Sequence, residues 1–478
     1  MYVYLLYISL HRPLTCAILA QVTIDMLPDI ALLEVFDFYG HEDQIEAWHT
    51  LVHVCRRWRN IVFESPRRLG LRLLCKASKP VKMLDIWPPL PIVISAHHYE
   101  NWADDNIVTA LEHNNRICEL GLWRDSSSQF EKVMEAMQQP FPKLTRLALA
   151  SGLEDGTSLI VPDSFLGGYA PRLQSLFLNG IPFPGLPNLL LSATHLVNLD
   201  LWRIPQSGYI SPEVMVTSLS ALTRIESLLI GFEFLRIRFD RRRHSPRRTR
   251  ILLPVLAELR FKGMNGYLED FMAQIDAPLL DKLTVTFFYQ QIFDTPQLMQ
   301  FISRTPRFKG HNEARVVFSD WEVSVGLPRT FGGVLKLAIL CRQSDRQLSS
   351  LAQVCSPSFP QALIPAVDYL YILEDRASES QLHLQDNIES NRWLELLHPF
   401  IAVKSLYICR KSSPRIAPAL QELVGGRVTE VLPALQTLFF EEPLSSGPVR
   451  EFIGRFVSAR RLASHPITIS RWERRHFE

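Results

Sequence analysis

The sequence predicts an α/β chain in two parts: a short all-helical segment near the start, then an irregular solenoid with one strand and one helix per repeat. Three observations predict it. Two apolar stripes at helical spacing stand close together before residue 66. A strand template, P-x-L-x-x-L-x-[LFV], recurs along the rest of the chain, and helical stretches separate its copies. With 478 residues the chain is too long for one ordinary core. Its 47% hydrophobic and 21% charged residues are ordinary globular composition.

Residues 1–24 read as an apolar N-terminal extension. His11, Arg12 and Pro13 split it into pieces shorter than the roughly 20 residues that cross a bilayer. No positive charge precedes the apolar run, as a signal peptide requires. No membrane association is expected, and the expected compartment is cytoplasmic or nuclear.

Residues 25–66 carry the helical segment. Pro28 suits a first helical turn, and Asp29 favours its positive end. Leu32, Leu33, Val35, Phe36 and Tyr39 follow at helical spacing, and Gly40 can stop the helix. After a polar turn, Trp48, Leu51, Val54, Cys55, Trp58 and Val62 form a second stripe, with Arg56, Arg57, Arg59 and Asn60 facing away. About three helical pieces in roughly 40 residues are too few for a robust core, so the unit is expected to need a partner. Cys55 reads as a packing residue rather than a reactive thiol.

Residues 67–110 read as a linker and the start of the solenoid, with short β-rich pieces around an extended "IWPPLP". The solenoid is expected over residues 111–463, with a tail at 464–478. The template occurs from Pro142, Pro171, Pro254, Pro278 and Pro433, with looser copies near Ile117, Leu196, Ile225, Val367 and Val403. A wide gap after Leu283 can hold two weaker copies, near "ARVVFSD" and "LKLAIL". The template proline is expected to stop the incoming helix just before the strand. Alternate strand residues such as Leu147 and Leu149 point to one face, where helices must cover them. This pattern resembles a leucine-rich repeat, without a regular asparagine ladder.

Strand positions on the opposite face are candidate binding residues: Trp123, Phe177, Asp200, Trp202, Arg260, Lys262, Tyr371, Tyr407, Phe439 and Glu441. Trp, Tyr and Arg dominate binding hot spots, although the same rings can simply pack across the strands.

Other signals exclude more than they assign. Seven scattered cysteines, none at CxxC spacing, fit reduced buried thiols better than disulfides or zinc. The net charge of +2 hides a run at 236–250 with eight arginines and one aspartate, a local +7, so the remainder is −5. That run reads as a solvated insertion. A nuclear scaffold or nucleic-acid-binding protein using it is the alternative function, and nucleic acid is not the expected partner, because Phe239 is the one Phe, Tyr or Trp in the run and stacking along a strand needs several. His97, His98, Asp104 and Asp105 lack metal-ligand spacing. No Gly-rich phosphate loop, nucleophile elbow or HExxH occurs, so neither a cofactor nor catalysis is expected.

The N-terminal segment resembles an F-box of the large fungal F-box families. "LPDIALLEVFDFY" and "LVHVCRRWRNIVF" place Leu27, Pro28, Leu32, Leu33, Val35, Phe36, Leu51, Val54, Cys55, Trp58 and Val62 at motif positions. Ile30 and Ala31 stand where the family often has Glu and Leu. The resemblance implies a helical module that binds the Skp-type adaptor, and through it the cullin, of an SCF ubiquitin ligase. An F-box followed by leucine-rich repeats resembles a non-catalytic substrate receptor, whose array holds a protein target.

Overall fold

A computed structural model of the chain describes residues 24–40, 48–75, 84, 87–96, 104–124, 127–151, 160–233, 250–290, 293–329, 333–342, 344–355, 366–375, 390–441 and 447–473. It divides into two units: Met1–Cys75 with Lys82–Val93, and Lys76–Val81 with Ile94–Glu478. The expected extension 1–24 lies outside the described residues except for Ile24. So does the arginine run except for Arg250, and so do His97 and His98.

The first unit holds α1 (Asp29–Gly40), α2 (Trp48–Val54), α3 (Arg56–Glu64) and β1 (Leu73–Cys75), and the boundary falls inside β2 (Ile92–Ala96). The Pro28 carbonyl accepts from Leu32 N at 3.1 Å, starting the first turn. The second stripe is two helices, not one. Cys55 adopts an extended backbone between them, and its sulfur accepts from Trp58 N at 3.5 Å, so it is the N-cap of α3. The interior collects Leu32, Phe36, Trp48, Leu51, Val52, Trp58, Ile61 and Val62, with the Phe36 and Trp58 ring centroids 4.7 Å apart.

The second unit is a mixed α/β array around one long sheet. In chain order it comprises α4 (Asp104–Leu111), β3 (Ile117–Arg124), α5 (Ser127–Ala136), β4 (Arg146–Ser151) and β5 (Ser175–Asn179). Then follow α6 (Leu186–Ser192), β6 (Asn198–Ile204), α7 (Pro212–Leu219), β7 (Ser227–Phe232), β8 (Ile251–Leu252) and β9 (Glu258–Gly263). Next are α8 (Asn265–Met272), β10 (Ile275–Asp276), β11 (Lys282–Phe288), α9 (Pro296–Arg304), β12 (Glu313–Phe318), β13 (Glu322–Pro328) and β14 (Val334–Leu340). The chain closes with α10 (Ser344–Cys355), β15 (Tyr369–Glu374), α11 (Ser390–Leu397), β16 (Ser405–Ile408), α12 (Ser413–Gln421), β17 (Thr437–Phe440), α13 (Pro448–Leu462) and β18 (Thr468–Arg471).

From β3 the sheet order is β3-β4-β5-β6-β7-β9-β11-β14-β13-β12-β15-β16-β17-β18, while β8 and β10 pair separately. The template leucines set its register. Leu120, Leu147, Leu176, Leu199, Leu228, Leu259 and Leu283 stand opposite one another in turn, as do Leu370, Leu406 and Leu438. All of them are buried, as is the row two residues on, from Leu122 and Leu149 to Ile408 and Phe440. Each buried leucine contributes about 1.5–3 kcal/mol, so the stacked rows hold the array together.

The proline works differently from the expectation. It does not end a helix, since α5 stops at Ala136, well before Pro142. Instead it is the second residue of a tight turn. Leu144 N bonds to Phe141 O, Leu173 N to Ala170 O, Leu256 N to Leu253 O, Leu280 N to Ala277 O, and Leu435 N to Leu432 O. A fixed φ near −65° suits that position. Successive turns are also tied by backbone bonds, as in Gln174 N to Thr145 O, Val197 N to Gln174 O and Glu226 N to Val197 O. These bonds do the work an asparagine ladder would otherwise do.

Two expectations need refining. The gap after Leu283 holds strands at both expected places, β12 in "ARVVFSD" and β14 in "LKLAIL", but in reversed order and with a further strand between them. β14 pairs parallel with β11, β13 runs antiparallel between β14 and β12, and β12 pairs parallel with β15. The cause is the short hairpin at Ser319–Trp321, where Ser319 N bonds to Glu322 O and reverses the chain. The solenoid also does not end at 463. β18 pairs parallel with β17, placing Ile469 opposite Leu438, so residues assigned to a tail belong to the sheet. Among the described residues no helix is long and apolar enough to cross a membrane. The six described cysteines are free thiols.

Candidate functional site

The sheet face opposite the leucine rows carries every candidate binding residue of the second unit. They fall into two groups separated by a charged belt.

The first group lies on β3 to β6. Trp123 on β3 stands opposite Ala150, and Phe177 on β5 stands opposite Ala148. The small side chains of β4 leave room for the two rings to meet above them, with centroids 5.6 Å apart and planes 23° apart. Trp123 keeps 37% of its surface exposed. Trp202 lies flat over Gly231, where an added Cβ would come within 3.0 Å of its ring, and the Lys262 ammonium sits 5.2 Å from the ring centroid. Burial pushes the Asp200 carboxyl upward; Arg260 opposes this and Glu258 adds to it.

The second group lies on β15 to β18. Tyr371, Tyr407 and Phe439 stand in register on adjacent strands. Their rings stack with centroids 4.3 Å apart at both steps, and planes within 15° and 5°. Trp472 meets Tyr371 and Tyr407 edge-on at 6.0 and 5.5 Å, and its indole N–H donates to Ile408 O at 3.4 Å. Leu373, Cys409 and Val317 complete the cluster. Burial pushes both tyrosine hydroxyls upward, with the Glu313 carboxylate adding to the shift of each. Glu441 serves the backbone here, accepting from Arg410 N at 2.9 Å.

Between them, Arg260 pairs with Glu258 at 2.6 Å, Lys336 with Glu322 at 2.9 Å and Arg315 with Glu313 at 2.5 Å. Sequence reasoning missed Lys336, Arg315 and Trp472. The first two lie in the strands whose order is reversed. The alternation Ile467, Ile469 in the last stretch was the available signal for β18 and its tryptophan.

No family model matches this chain, and no curated protein does. Among solved structures it is similar to the leucine-rich repeat-containing protein LegL7 from Legionella pneumophila, at 13% identity over 80% of this chain and 97% of that chain, with a TM-score of 0.29.

The first unit has a separate candidate surface on α1. Of the motif residues, Leu32, Phe36, Leu51, Trp58 and Val62 are buried in the unit's own interior. They were expected at a partner and instead hold the helices together, because the stripe they form is the one that packs. Leu27, Pro28, Leu33, Val35, Val54 and Cys55 keep exposed surface. Beside them stand apolar side chains the motif did not single out: Met26 is 65%, Ile30 71% and Phe38 85% exposed. A helix showing this much apolar surface has more than a solvated face needs. The exposed ends are also tied. Arg57 on α3 reaches the Leu27 carbonyl and the Asp29 carboxylate, fixing the start of α1.

Proposed function

We propose that the chain is a non-catalytic substrate-receptor subunit of an SCF-type ubiquitin ligase. The first unit docks on the Skp-type adaptor, and the exposed sheet face of the second unit holds a protein target. The observation that carries the reading is the apolar surface of α1, with Ile30, Val35 and Phe38 exposed on the helix and Met26 exposed just ahead of it, beside the Leu27-Pro28 start of an F-box-like motif. Such a surface is unfavourable in water and favours a helical partner with an apolar groove. The work of such a subunit is positional. Bringing target and transfer enzyme together raises effective concentration, and no group of this chain takes part in the chemistry.

The test is co-purification of the full chain with a Skp-type adaptor and cullin. Wild type captures both, and the Leu27→Ala, Pro28→Ala double variant captures at least tenfold less. Equal capture by the two, or capture by neither, ends the reading.

A further inference from the structure

The two aromatic groups and the belt between them say what kind of target fits the sheet face. We propose that the face binds one extended polypeptide segment of about ten to twelve residues, with apolar anchors at both ends and a polar, charge-balanced middle. The inference rests on the reading of this face as the target surface and adds the chemistry of the occupant.

Span fixes the length. Trp202 on β6 and Tyr371 on β15 are seven strand steps apart in the sheet order. At roughly 4.8 Å per step that is about 34 Å along the sheet, and Phe177 lies one step further. An extended chain covers about 3.3–3.6 Å per residue, so ten to twelve residues reach from one group to the other. Nothing shorter touches both.

Both ends are preorganised. The Tyr371–Tyr407–Phe439 stack is held from the side by Trp472, and the Trp123–Phe177 pair rests on the alanines of β4. Rings already fixed lose little freedom when an apolar side chain lands on them. Trp123 and Phe177 therefore take one anchor, and the side of Tyr371 turned away from Tyr407, at the near end of the stack, takes the other.

Charge complementarity selects the middle and the class of polymer. Arg260, Lys336 and Arg315 each already have an acid beside them, in Glu258, Glu322 and Glu313. A run of phosphates would meet three carboxylates along its path, so a nucleic acid strand is disfavoured. A peptide with neutral or mixed-sign side chains meets a matched surface, and Thr284 and Thr286 on β11 offer hydroxyls to its backbone.

The experiment is selection of displayed random dodecapeptides on the full-length protein. Enriched peptides are expected to carry apolar or aromatic residues at both ends, about ten or eleven positions apart. An enriched peptide should bind Trp123→Ala/Phe177→Ala and, separately, Tyr371→Ser at least tenfold more weakly, and so should the peptide shortened by four middle residues. Thr284→Arg, which places an unmatched charge in the belt without touching an aromatic group, should weaken binding as well if ring truncation disturbs folding. Adaptor capture by these variants stays at wild-type level, which separates failure here from failure of the ligase reading. The proposal is overturned if no peptide enriches or if four-residue peptides with one anchor bind as well. It is equally overturned if the variants bind unchanged or if a 12-nucleotide homopolymer binds more tightly than any peptide.

Discussion

Arg57 holds the start of α1 through Asp29: its guanidinium lies 2.5 Å and 3.0 Å from one carboxylate oxygen, and a third bond of 2.6 Å reaches the Leu27 carbonyl. The pair is partly exposed, so its Coulomb energy is screened and the bond to the carbonyl matters as much. Arg57→Ala is expected to cost about 1 kcal/mol, felt locally. Hydrogen exchange at the amides of residues 30–36 should quicken several-fold. Arg57→Lys should rescue little, because a single ammonium cannot reproduce the fork. Unchanged exchange in Arg57→Ala would show that the clamp carries nothing.

Cys55 caps α3 with a long, weak sulfur acceptor. Serine is a better cap in the same extended backbone, so Cys55→Ser should hold or raise stability by a few tenths of a kcal/mol, while Cys55→Ala should lose about 1 kcal/mol. The order of the thermal midpoints, serine at or above cysteine and cysteine above alanine, is the check. A reversed order would mean that packing of the thiol outweighs capping.

On α1, neighbouring residues should separate cleanly. Ile30→Glu and Phe38→Glu alter only exposed surface, so stability should stay within about 0.5 kcal/mol while adaptor capture falls at least tenfold. Leu32→Ala empties a fully buried site and should cost about 2–5 kcal/mol. Denaturant melts beside pull-downs distinguish the two classes. Loss of stability in Phe38→Glu would mean that this ring packs in the native protein.

Glu269 on α8 accepts from Gln297 N at 2.7 Å and Leu298 N at 2.9 Å, closing the first turn of α9. Burial nonetheless pushes its carboxyl up to about 7, against the help of those two bonds, with Asp294 and Asp270 adding repulsion. A folded value above the ordinary 4.5 means that stability is fully present below pH 4.5 and is lost as pH rises to about 7, at no more than about 1.4 kcal/mol per pH unit. Urea midpoints of wild type should therefore fall across that window relative to Glu269→Gln, which cannot ionise. Parallel pH profiles would contradict it.

Arg460 is fully buried, and its guanidinium donates to the carbonyls of Val428, Leu432, Pro433 and Leu435. Burial pulls its pKa down, yet the group holds together the loop that leads into β17. Arg460→Met keeps the stem and orphans these carbonyls, so it should cost about 3 kcal/mol or more. The loss should appear first as protease sensitivity near residues 425–436. Wild-type resistance there would sink the assignment.

The helices before residue 66 and the parallel strands bearing the template were legible in the sequence because their apolar periods are strong. Leu147, Leu176 and Leu199 declare both strand and register at once. What stayed hidden was set by backbone or by distant neighbours. The extended conformation of Cys55 breaks a continuous apolar stripe without changing its spacing. Pro142 and its counterparts look like helix stops but occupy turns, since proline suits both. The reversal at Ser319–Trp321 depends on a hairpin with no glycine to announce it. On the exposed face, Tyr371, Tyr407 and Phe439 were found by alternation, whereas Arg315 came beside Tyr371, and Lys336 beside Thr284, only through the reversed strand order.

That reversal also bears on synthesis. The strand that completes β11 is β14, which leaves the ribosome after β12 and β13. Up to β11 the stack can grow in the order of translation. It must then wait, with the edge of β11 bare, until about fifty more residues have emerged. The nascent chain is most exposed to mispairing or chaperone capture at that pause, and stop codons placed just before residue 334 and just after residue 340 should yield sharply different soluble fractions.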